Sequence, residues 1–157
     1  MKTKLLRATL AIAALAAIPA SAADMHRHED HAAHGARLQL DNGRKWPSDA
    51  PLRKSMAGLR SAFAGKIHAI HGGKLPPEGY RELGSRVDSA VADIVAECKL
   101  EPKADAMLHI VVADLMAGAD IMQGRAAGKP MEGAHKAVMA LNAYGRHFDH
   151  PDWKPLK

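Results

Sequence analysis

The chain has 157 residues, a length suited to one domain with a buried core. Its 22 Lys+Arg and 17 Asp+Glu give a formal charge of +5, which falls to about +2 without residues 1–22, too weak and too evenly spread for a nucleic-acid binder. One cysteine excludes an internal disulfide framework, and an aromatic content of 4% with abundant alanine favours helices over a sandwich or barrel.

Residues 1–22 read as a secretory signal peptide. Lys2, Lys4 and Arg7 form a positive start, residues 10–18 a short apolar stretch, and Pro19-Ala20-Ser21-Ala22 the small residues before a cut. The apolar stretch is too short to span a bilayer as a helix, so no membrane span is expected after its removal. Three positive and no acidic charges leave with the signal, which puts the mature chain near +2. The better-matched cut follows Ala22. A cut after Ala23 would place His26 third from the new amine. Amine, two backbone amides and imidazole then form the square-planar nitrogen set that suits Cu(II) or Ni(II).

Directly behind the signal stands Met25-His26-Arg27-His28-Glu29-Asp30-His31-Ala32-Ala33-His34. Residues 23–37 lack apolar periodicity and read as a flexible, histidine-rich arm. Imidazole suits copper, zinc and nickel, and thioether favours Cu(I). His26, His28, His31 and His34, with Met25, are therefore the first metal-ligand candidates. The bland alternative is a solvated leader whose histidines bind nothing.

An ordered lead-in follows over residues 38–47, with a turn signal at Asp41-Asn42-Gly43. The first helix is expected from an N-cap at Ser48, with Pro51 in its first turn. Leu52, Met56, Leu59, Phe63, Ile67 and Ile70 form one apolar stripe up to Gly72-Gly73. The second begins near Pro76-Pro77-Glu78, with Tyr80, Leu83, Val87, Val91, Ile94 and Cys98 inward. The third follows Pro102, with Leu108, Val111, Val112, Leu115, Ala119 and Met122 inward, and ends between Gly124 and Gly128. The fourth begins near Pro130, with Ala134, Val138, Leu141 and Gly145 inward, and stops before Pro151. Short connections between four such helices predict an all-α, up-down-up-down four-helix bundle over residues 38–152, with a tail at 153–157.

That topology sorts the remaining candidates between two poles. One gathers the arm, Trp46, Cys98, Met107, His109, His147, His150 and Trp153. The other gathers His68, His71, Met122, Met131 and His135. His147-x-x-His150 is the second metal candidate, because the spacing puts both imidazoles on one side of a last turn. Alone it lacks ligands, which the arm would have to supply; otherwise it is a helix end whose imidazoles complement the dipole. His68-x-x-His71 reads as a helix cap, and His135 as a boundary histidine. Most methionines fall on or beside the stripes and read as core filling. Cys98 reads as a small buried hydrophobe, against sharper readings as a Cu(I) ligand or a disulfide partner.

Enzyme signatures are missing: there is no phosphate loop, no Gly-x-Ser-x-Gly and no His-Glu-x-x-His. Glu132-Gly133-Ala134-His135 has the di-iron spacing but occurs once, where two copies are needed.

Two stretches, residues 43–53 (GRKWPSDAPLR) and 98–109 (CKLEPKADAMLH), resemble segments of small exported bacterial helical-bundle proteins, some of which carry a His/Met-rich leader and are linked to copper handling. The resemblance covers roughly residues 38–151. It implies a periplasmic four-helix bundle and supplies no ligand set. The sequence thus points to a periplasmic, non-enzymatic protein that binds copper, as Cu(II) or Cu(I), with zinc as a further option. Its role would be sequestration, tolerance or delivery, with metal ions and another periplasmic copper-handling protein as partners. One alternative is an electron-transfer bundle with non-covalent haem, resembling four-helix b-type cytochromes, using Met56 and His147. The other is a metal-free interaction or chaperone module.

Overall fold

A computed structural model describes residues 37–157, and among these described residues there are five helices. They are α1 (Ala50–Ala64), α2 (Ile67–His71), α3 (Pro77–Glu97), α4 (Pro102–Met122) and α5 (Pro130–His147). The protein is all-α, with two isolated β-bridges and no strand among the described residues. The expected signal peptide (residues 1–22) and residues 23–36 of the expected arm, with Met25, His26, His28, His31 and His34, lie outside the described residues.

Helix starts follow local chemistry. A proline occupies the first turn of α1, α3, α4 and α5, where its missing N–H costs nothing. The Asn-Gly turn forms as expected: Asn42 and Gly43 take φ of 49° and 82°, and Asp41 and Arg44 exchange backbone hydrogen bonds of 2.8 and 2.9 Å.

Two boundaries differ from expectation. Asp49, not Ser48, caps α1: its Oδ1 accepts the Leu52 N–H at 2.9 Å. Ser48 instead donates its hydroxyl to the Asp149 carbonyl, tying the chain's entry to its exit. The long first helix is also broken into α1 and α2. At Gly65 and Lys66 the ladder tightens, with Lys66 N–H bonding Phe63 O at 3.0 Å, and Lys66 leaves helical geometry at φ −119°, ψ 2°. Glycine is about 1 kcal/mol worse than alanine in a helix, which lowers the cost of a break at Gly65. The Lys66 ammonium there pairs with Glu82 of α3 at 3.4 Å. The break keeps both halves of the stripe inward: Leu52, Met56, Leu59 and Phe63 before it and Ile67 and Ile70 after it are all buried.

The stripes of α3, α4 and α5 are buried nearly as read, with Cys98 and Val112 half-buried. Each large apolar side chain so buried contributes about 1.5–3 kcal/mol. Tyr144 and Phe148, left off the expected stripe, are fully buried and among the largest core side chains. Helices α4 and α5 meet backbone to backbone. A Cβ on Gly118 would lie 2.7 Å from the Gly133 carbonyl, and one on Gly133 would lie 2.6 Å from the Gly118 carbonyl. Any side chain at either position would push the two helices apart.

The last residues are latched down. Asn142 on α5 donates to and accepts from the Leu156 backbone at 2.9 and 2.8 Å, and the Leu156 side chain is buried. Arg60 of α1 donates to the Lys154 carbonyl. The tail is thus a strap across α1 and α5.

Candidate functional site

Asp49 organises the end of the molecule where α1 begins and α3 ends. Besides capping α1, its carboxylate accepts the Lys99 N–H at 2.6 Å and lies 3.6 Å from the Cys98 sulfur. Burial works to raise its pKa, but the Lys99 and Leu52 N–H donors, the Cys98 thiol and the charge of Arg53 outweigh it and hold the carboxyl below the usual range. The same arrangement acts oppositely on Cys98. Burial, then the charge of Asp49, its hydrogen bond and the charge of Asp105 push the thiol up to about 12. Cys98 is therefore a protonated thiol at neutral pH, and a poor nucleophile or metal ligand in that form.

On the C-terminal side of this end stand His147 and His150. Trp46 N–H bonds the His147 carbonyl at 2.7 Å and Asp149 N–H bonds the Trp46 carbonyl at 2.8 Å, so this corner is pinned to the lead-in. The half-buried His147 ring turns its Nδ1 onto the Ala143 carbonyl at 2.8 Å. A carbonyl only accepts, so Nδ1 carries the proton and the neutral ring keeps its lone pair on Nε2, the arrangement seen in metal-ligating histidines. His150 lies edge-on to Tyr144, with Nδ1 3.0 Å from the Tyr144 hydroxyl, and tilts against Trp153 at 4.9 Å between ring centres. Burial and the charge of Arg53 lower the His150 pKa, despite Asp149. Burial raises that of Tyr144, against the Ser48 hydroxyl and Arg53. Both groups are therefore held uncharged near neutrality. The Trp153 Nε1–H is buried over Gly145 without a hydrogen-bond partner among the described residues.

Among the described residues no three His, Cys, Asp or Glu side chains converge as a metal-holding group. His147 and His150 therefore stand as two imidazoles whose Nδ1 atoms each face another group. Met56, the haem reading's axial candidate on α1, is fully buried in the core.

At the far end of α5 the structure brings together two histidines that the sequence places at one pole without pairing them. The rings of His71 and His135 lie 5.6 Å apart between centres, tilted by 51°. Met131, one turn before His135, places its sulfur 3.8 Å from where a Cβ on Gly73 would lie. Shared placement at one pole was the signal available for this pairing. Glu132 is occupied differently: its carboxylate accepts the Lys129 N–H at 3.1 Å and caps α5. The methionines also divide more finely than expected. Met56 and Met122 fill the core, and Met107 and Met131 border it. Met116 and Met139 are 44% and 71% exposed, because their positions rotate off the stripes of α4 and α5.

Comparison of the chain with protein-family models, with curated proteins and with solved structures gives no match. No helix among the described residues is long and apolar enough to cross a membrane.

Proposed function

We propose that this is a periplasmic copper-binding protein, in which an up-down-up-down four-helix bundle carries a histidine-rich N-terminal arm that takes up the metal. The observation that carries the reading is the arm itself: Met25, His26, His28, His31 and His34 within ten residues, directly behind an export signal. Neutral imidazoles bind the ion, Met25 adds a soft donor for Cu(I), and zinc is the competing metal. The role is sequestration, tolerance or delivery to another periplasmic copper-handling protein, with no catalysis. His147 supports the reading as an accessory ligand, since its Nδ1 bond to Ala143 leaves the lone pair on Nε2.

The test is metal titration of processed protein, its N-terminus read by mass spectrometry. Deleting residues 23–36 should remove most Cu(II) uptake by calorimetry and leave helicity by circular dichroism unchanged. Unaltered Cu(II) stoichiometry in that deletion overturns the reading.

A further inference from the structure

The pair His71 and His135 has no part in the arm reading, and it crosses between two helices. His71 is the last residue of α2 and is exposed; His135 sits in the second turn of α5 and is half-exposed. Neither ring hydrogen-bonds to a described residue, so the ring nitrogens of both are uncommitted within the described fold. As neutral imidazoles they offer lone pairs; as imidazolium ions they would repel.

Their spacing has a chemical meaning. Two imidazoles that share one ion through nitrogen at about 2.0–2.1 Å hold their ring centres roughly 4.5–6.4 Å apart, from a right-angled to a linear N–metal–N arrangement. The observed 5.6 Å falls within that span, near a trigonal angle. A third donor is at hand. Met131 and His135 share a face of α5 at i, i+4, and the Met131 sulfur lies beside Gly73, two residues past His71. The nearby carboxylates are committed elsewhere: Glu132 caps α5, and Asp114 pairs with Lys136 at 2.8 Å. Two imidazoles and a thioether, without a carboxylate, make a soft set that selects Cu(I) over zinc.

We propose that His71, His135 and Met131 form a Cu(I) site of their own that clamps α2 to α5. It takes one ion per chain and requires none of the arm's ligands.

The experiment uses the full chain under anaerobic, reducing conditions, with Cu(I) presented by a chromophoric competing chelator. One variant replaces Met25→Leu, His26→Asn, His28→Asn, His31→Asn and His34→Asn; a second carries His71→Asn and His135→Asn; a third combines both sets. The arm variant should retain one Cu(I) per chain and the combined variant none. Met131→Leu in the arm variant should weaken the remaining site tenfold or more, since even outer-shell losses cost about 10–100-fold. In the arm variant, one equivalent of Cu(I), which is diamagnetic, should shift the ring proton resonances of His71 and His135 and leave those of His147 and His150 in place. No Cu(I) retained by a folded arm variant, or equal retention with and without His71 and His135, overturns the proposal. Failure of the arm reading looks different: the arm variant would then bind as much metal as the parent.

Discussion

Asp49 with Cys98, and Tyr144 with His150, pair their polar atoms at one end of the helical body, whereas His71 and His135 at the other end lie ring beside ring without a hydrogen bond to a described residue. At the Asp49 end a single carboxylate caps α1, receives the Lys99 N–H and holds a thiol, while the Tyr144 hydroxyl meets a neutral imidazole. At the His71 end two rings stand together at the surface with no hydrogen-bond partner among the described residues. Polar groups that satisfy each other stabilise a fold. Polar groups left facing each other at a surface are available to a ligand. The two ends therefore differ in how far their polar groups are satisfied, and substitutions should separate loss of stability at the Asp49 end from loss of the proposed Cu(I) site at His71 and His135.

The largest effect is expected at the closed end. Tyr144 is fully buried, stacked on Phe148 and edge-on to Trp153 and His150. Tyr144→Ala should cost about 3–5 kcal/mol by urea unfolding, the range for deleting a large buried aromatic side chain. A loss below about 1 kcal/mol would mean that this end is not the anchor described above.

Asp49→Ala comes next, at about 0.5–2 kcal/mol for the lost cap. It should also change the acid limb of stability. The Asp49 carboxyl has its folded pKa below its ordinary 3.8, so its contribution is complete above that pH and is lost as pH falls through the lower folded value. His150 acts at milder pH. Its folded pKa is depressed below its ordinary 6.5, so the unfolded chain protonates first, and stability declines from about that pH downward to the folded value. Unfolding midpoints measured across this range should show both declines in the parent chain; in Asp49→Ala the milder one should stay and the acid one become shallower, since Glu78, Glu82 and Asp88 are also held below their ordinary values. A parent curve flat between pH 7 and pH 3 would contradict both assignments.

The smallest stability effect belongs to the open end. His71→Asn and His135→Asn, at exposed and half-exposed positions, should each stay within about 0.5 kcal/mol. A larger loss would make the pair structural and erase the contrast between the two ends.

Much of the fold was legible because burial follows periodicity. Leu52 to Ile70, Leu83 to Ile94 and Leu108 to Met122 were readable as stripes, and Asn42-Gly43 as a turn, because each depends on nearby residues. What escaped the sequence depended on distant ones. Ser48 and Asp49 are both good caps, and the choice was made by Lys99 and Asp149, some fifty and one hundred positions away. Tyr144 sits three residues after Leu141 on the same face, so it was readable and was passed over. Gly58 and Gly65 are both weak points of the same expected helix, and what sets Gly65 apart, the neighbouring Lys66–Glu82 pair, depends on a residue of another helix. The candidate site was legible as a list of histidines but not as a pairing. His71 and His135 resemble a helix cap and a boundary residue until the fold sets their rings side by side.

The break at Gly65 leaves α2 as a segment of five residues, far too short to hold itself as a helix and anchored by Ile67 and Ile70. Segments of this kind open by themselves, at a cost well below that of unfolding the whole protein. The amide protons of α2 should therefore exchange with solvent long before those of α4 and α5. An ion held between His71 and His135 would tie the first segment to open onto α5, one of the last. Metal binding at that site would then be recorded chiefly as slowed exchange across residues 67–73, with the exchange of α3 and α4 left nearly as it was.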